Sequence, residues 1–143
     1  MNFPDLRDFY DPALTLPVDG VEYRIEAPSI KDGVQLRRVM LDPKVSKKRT
    51  DLDYLKIVFG LIGGEHDAKR DVFRGAKDSV FARLESAGAP WPTILRVAET
   101  AALNWSFGES HAIGFWAREL VGDLTASAVA AAAEGVPETE AAE

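Results

Sequence analysis

Two histidines, His66 and His111, are the only side chains whose ordinary pKa lies near neutrality, and the chain holds no cysteine. Thiol nucleophiles, zinc ribbons, disulfide frameworks and iron–sulfur ligation are excluded together. His66 stands in Glu65-His66-Asp67, just after Gly63-Gly64. Neighbouring residues at a helix start point in different directions and cannot close on one metal, so this triplet reads as a solvated helix start. His111 has no partner at ligand spacing and reads as a surface or packing residue. Gly60-Leu61-Ile62-Gly63-Gly64 follows a helical pattern, whereas dinucleotide and phosphate loops follow a strand, so it is a helix terminator. No Gly-x-Ser-x-Gly elbow occurs, and 23 acids scattered over the chain select no catalytic pair. These residues point to no catalytic, cofactor-binding or metal-binding site, and the expectation is a protein that is not an enzyme.

The chain is 143 residues long, 46% apolar and 28% charged, which suits a single domain. Its 17 bases and 23 acids leave a net charge of −6. That balance argues against a nucleic-acid partner, because neutralising phosphate takes a basic surface. The basic run Lys44 to Arg49, with Arg37 and Arg38 upstream, reads as a solvated loop. No apolar run reaches a membrane-spanning length, and the acidic start MNFPDLRDFYDP is unlike a signal peptide, so a soluble intracellular protein is expected. From residue 122 the chain carries Asp123, Glu134, Glu138, Glu140 and Glu143 and no base. Residues 1–121 are expected to form one globular domain, and 122–143 an Ala/Glu-rich, largely disordered tail.

The elements that would position any site follow from periodicity. Apolar residues alternate over 14–18 and 21–25 around Asp19-Gly20, a dipeptide that tolerates the positive φ angles of a tight hairpin turn. Ser29 then opens a helix, with Ile30, Val34 and Leu41 following on one side and Val39 and Met40 nearby. A second helix over 52–62 places Leu52, Leu55, Phe59 and Ile62 in a core stripe. Tyr54, Ile57, Val58 and Leu61 form a further apolar set on the same helix, which must be buried by another core element or by a partner. A third helix is expected over 67–87, ended by Gly88, and a fourth from Pro92 to Trp105. Ser106 and Glu109 have capping-box spacing before a fifth. Trp91, Trp105, Phe107, Phe115 and Trp116 read as core, or as a groove for a partner helix. The fold class is therefore mainly α with an N-terminal β-hairpin, a small α+β domain of about five helices with a flexible acidic tail. Tyr54, Ile57, Leu61 and Phe107 are the candidate partner-binding residues.

The order of segments resembles a known family. Asp5-Leu6-Arg7-Asp8-Phe9 runs into Asp11-Pro12-Ala13-Leu14-Thr15-Leu16-Pro17, then come Tyr23-Arg24-Ile25 and Ala27-Pro28-Ser29. Ala87-Gly88-Ala89-Pro90-Trp91-Pro92 follows later, with a helix ending at Trp105 and then Phe115-Trp116. In this order they resemble the small tail assembly chaperones of long-tailed, siphovirus-type phages of actinobacteria. Where that family carries a further aromatic beside Trp105, this chain has Asn104. The resemblance implies a chaperone, working in the host cytoplasm and absent from the mature virion. It would bind the tape-measure protein and bring in the tail-tube protein, partly through a longer form made by programmed frameshifting. A homo-oligomer is compatible with the same surfaces. The alternative is a structural tail or head-to-tail connector subunit that stays in the particle.

Overall fold

A computed structural model describes residues 2–42 and 51–117. The tail over 122–143 and the basic loop from Lys44 to Arg49 lie outside the described residues. The chain is a small α+β fold; among the described residues two separate two-stranded antiparallel sheets pack among five α-helices.

The first hairpin pairs β1 (Leu14–Val18) with β2 (Val21–Ile25), Leu16 lying opposite Tyr23 and Pro17 opposite Glu22. Asp19 and Gly20 both take positive φ, 51° and 80°, so the turn adopts the twist-matched geometry that their types allow. With only two strands in the sheet, Pro17 sits in an edge strand, as its missing N–H requires. Leu16, Tyr23 and Ile25 are buried beneath it. The segment before β1 is clasped to the domain at two points. The Arg24 guanidinium donates to both carboxylate oxygens of Asp11 at 2.7 and 3.0 Å, and the Trp105 indole donates to the Pro12 carbonyl at 3.2 Å. Arg24 beside it, with the Ala13 amide, holds the Asp11 carboxyl below its usual range.

Helix α1 (Ile30–Met40) is capped by Ser29, whose hydroxyl accepts from the Asp32 amide. Its buried side is Leu36 with Val39 and Met40, packed chiefly on α4, while Ile30, Val34 and Leu41 face outward, so the expected apolar group is split between the two sides of the helix. Both stripes of α1 are apolar, so periodicity alone does not say which one docks.

Helix α2 (Leu52–Gly60) buries Tyr54, Val58 and Phe59, followed by Ile62, and leaves Leu52 exposed and Leu55 and Ile57 half-buried. Beyond it the expected helix over 67–87 is corrected. Residues 64–75 form a second hairpin, β3 (Gly64–Asp67) with β4 (Val72–Gly75), and helix starts only at α3 (Val80–Ser86), capped by Ser79. Local chemistry favours the turn: the Asp67 carboxylate accepts from the Lys69 and Arg70 amides, and Asp71 is left-handed at φ 52°. His66 accordingly lies in a strand, opposite Phe73, and not at a helix start. Gly75 makes this packing possible, since a Cβ there would fall 2.4 Å from the Ala82 backbone nitrogen.

Helix α4 (Trp91–Phe107) runs through the centre, with Pro92 in its first turn and Ile94, Val97, Ala98, Ala101 and Ala102 buried. The expected capping box at Ser106 is corrected. Ser106 is buried in the last turn of α4, and the Gly108 carbonyl accepts from the His111 and Ala112 amides, which begins helix α5 over 109–117. The Arg96 guanidinium lies 4.0 Å from the centre of the Phe115 ring and joins α5 to α4.

Gly75→Ala must displace backbone of α3 and not a flexible side-chain end. It is expected to destabilise the domain by about 2 kcal/mol, read from the chemical denaturation midpoint. Gly20→Asn, at a turn position open to any side chain and left-handed, is expected to cost less than about 1 kcal/mol.

Candidate functional site

Phe59 is fully buried, and its ring meets three other aromatics: Phe73 at 4.8 Å, Phe81 at 5.4 Å and Trp91 at 5.1 Å between centroids. These contacts draw β4, α3 and the first turn of α4 around α2, at whose C-terminal end Phe59 lies. They leave a groove of about 750 Å³ between them. Leu52 and Leu55 form its α2 wall, Val72 and Phe73 its β4 wall, and Phe81 its α3 wall. Trp91 and Ile94 close it from α4.

Trp91 is 51% exposed, so of its two expected places, core or groove, the core is corrected. The indole meets Phe59 in an edge-type contact and also lines the groove. Its exposure has a local cause: Trp91 is the first residue of α4, with Pro90 before it as the N-cap, so no preceding helical turn covers it. Leu52 and Val72 are likewise exposed, and three large apolar side chains therefore converge on one concave surface.

Among the described residues, two carboxylates, Asp71 and Glu85, are the charged side chains that line the groove. Asp71 is oriented by His66, whose Nε2 lies 2.9 Å from Asp71 Oδ1 while the imidazole, largely buried, packs against Phe73. The groove is thus apolar along its floor and negative at its rim. An arrangement of this kind binds an apolar segment by burial and selects it by charge.

The residues expected from sequence to bind a partner fall in three separate places. Tyr54 is corrected outright: it is buried, and its hydroxyl donates to Glu99 Oε2 at 2.7 Å. Glu99 is only 4% exposed, and the Tyr54 hydroxyl gives its carboxylate a partner inside the core. Ile57 and Leu61 are half-buried and line a second concavity, about 480 Å³, with Glu26, Asp32 and Lys56 at its edge. Phe107 is partly exposed at the end of α4, next to His111 at 5.7 Å between ring centres. The other walls of the groove beside Trp91 were not legible, because the strand that builds one of them lies where the sequence pattern reads as helix. The one usable signal was Trp91 itself, an aromatic flanked by two prolines at a helix start.

Among the described residues no group of three or more His, Asp or Glu side chains is placed to hold a metal ion, and no helix is long and apolar enough to cross a membrane. Residues 4–143 match the family described as a domain of unknown function, DUF7426, and the chain belongs to that family. Comparison with curated proteins and with solved structures finds no match to either.

Tyr54→Phe removes a donor from a buried carboxylate and is expected to cost about 1.5–3 kcal/mol of stability. Trp91→Ala is expected to cost less than about 2 kcal/mol, below the 3–5 kcal/mol of a fully buried tryptophan. Chemical denaturation of the two variants beside the wild type checks both.

Proposed function

We propose that this protein is a tail assembly chaperone of a long-tailed phage. It holds apolar helical segments of the tape-measure protein soluble in the host cytoplasm and takes no catalytic part. The observation that carries this reading is the apolar groove beside Trp91, where Leu52, Val72 and Trp91 stay exposed although the domain has a well-filled core. An amphipathic helix laid into such a groove buries its apolar row and keeps its polar side in water, which is what a long apolar-striped client needs before assembly. The resemblance of segments 5–29 and 87–116 to that family supports the same reading, and assigns recruitment of the tail-tube protein to a longer, frameshifted form.

Co-expression tests it. Tape-measure fragments made with the wild-type chain are expected in the soluble fraction and to co-purify with it. With Val72→Lys, which places a charge in the groove at an exposed strand position, soluble fragment is expected to fall at least tenfold. Fragments equally soluble with and without the chain would overturn the reading. Mass spectrometry of purified particles is expected to find no copy of the chain; stoichiometric amounts would make it a tail or connector subunit instead.

A further inference from the structure

Helix α1 carries an exposed face that the chaperone reading does not use. Ile30 is 88% exposed, more than any other large apolar side chain among the described residues, and Val34 and Leu41 are 53% and 56% exposed. At about 100° per residue these three lie within a narrow line along the helix, with Arg37 on that line and Lys31 and Arg38 beside it. Asp32, the only acid within α1, lies about 160° round the helix from Val34. The outer face of α1 is thus an apolar row bordered by three bases.

The groove beside Trp91 has the opposite character: its described lining is an apolar floor with the carboxylates Asp71 and Glu85. No residue of α1 lines it, and α1 is held by its inner side on α4. A chain therefore cannot fill its own groove with α1 without giving up that packing. We infer that the outer face of α1 of one copy docks in the Trp91 groove of a second copy, Ile30 and Val34 against the apolar floor and Arg37 and Arg38 towards Asp71 and Glu85.

The observations favour a second copy because both halves of the complementary pair are present in this chain. Five of the six net negative charges belong to residues 122–143, so the rest of the chain is nearly neutral and a contact between copies is directed by local charge of this kind. The contact stands apart from the tape-measure reading. If both hold, client helix and α1 compete for one groove, and self-association keeps its apolar floor covered until a client arrives.

The test uses two variants of the full chain, each altered at exposed positions only. Val72→Lys with Glu85→Lys disables the groove and leaves α1 intact. Val34→Asp with Arg38→Glu disables α1 and leaves the groove intact. In sedimentation velocity over a concentration series, the wild type is expected to self-associate, more weakly as salt is raised, and each variant alone to stay monomeric. Mixed in equal amounts, the two variants are expected to pair one to one, because each supplies the surface the other lacks; that pairing also shows both to be folded. A wild type monomeric throughout the series would overturn the inference. So would a variant that assembles like the wild type, as it would if Phe3 and Phe9 or another apolar surface made the contact. A mixture that remains monomeric would overturn it as well. None of these outcomes depends on tape-measure binding, so this inference and the chaperone reading fail separately.

Discussion

The Phe59 ring is the contact on which the rest of the arrangement depends. It is wholly buried on α2 and touches an aromatic from each of three other elements: Phe73 from β4, Phe81 from α3 and Trp91 from α4. Tilted and edge-to-face aromatic pairs add about 0.5–1.5 kcal/mol each beyond the area they bury, and they fix ring orientation as well. The second hairpin has only four residues per strand and could not persist alone. It stands because Phe73 reaches Phe59, and because Gly64 and Gly75 let its strands approach α2 and α3 more closely than any side chain would permit. The groove is a consequence of that packing: three elements meet at Phe59, and the space left above the junction is where Leu52, Val72 and Trp91 remain uncovered.

Helix α4 plays the complementary part. Its buried positions are mostly small, Ala98, Ala101 and Ala102 among them, so neighbouring helices can approach its backbone closely. Into this apolar surface the chain inserts one acid, Glu99, and meets it with the Tyr54 hydroxyl from α2. A buried pair of this kind is costly to break and gives α2 one defined rotation against α4. That rotation decides which side of α2 faces the core and which side, with Leu52 and Leu55, forms the wall of the groove. The hydrogen bond at the centre of the domain and the groove at its edge are thus linked through the setting of a single helix.

Two apolar surfaces of opposite charge character lie on one domain, and they suit the binding role and the self-association proposed above. Burial supplies attraction without directional preference, and the carboxylates at the groove rim and the bases beside the outer row of α1 supply the choice of partner. The same surfaces explain why a chain with few titratable groups near neutrality still has a structurally distinct site. What it offers is a shape and a sign of charge.

Amino-acid sequence alone determined those features that act through local backbone conformation. Asp19-Gly20 turns because both residues accept positive φ, Gly88 ends α3 at φ 81° for the same reason, Ser29 caps α1 with its own hydroxyl, and Pro92 is accepted where no N–H is needed. Only the tertiary structure decided what depends on residues far apart in the chain. The apolar spacing of Val72, Phe73, Ala76 and Val80 suits a helix, yet the segment splits into a strand and a cap once Phe73 can stack on Phe59 and Gly75 can lie against Ala82. Helix α1 has two apolar sides, and the inner one was selected by the small-residue surface of α4. Tyr54 and Glu99 are 45 positions apart, so no local rule joins them. Trp91 has the composition of a core residue and the exposure of a contact, because burial is set by which elements arrive to cover a side chain, and at the first turn of α4 none does.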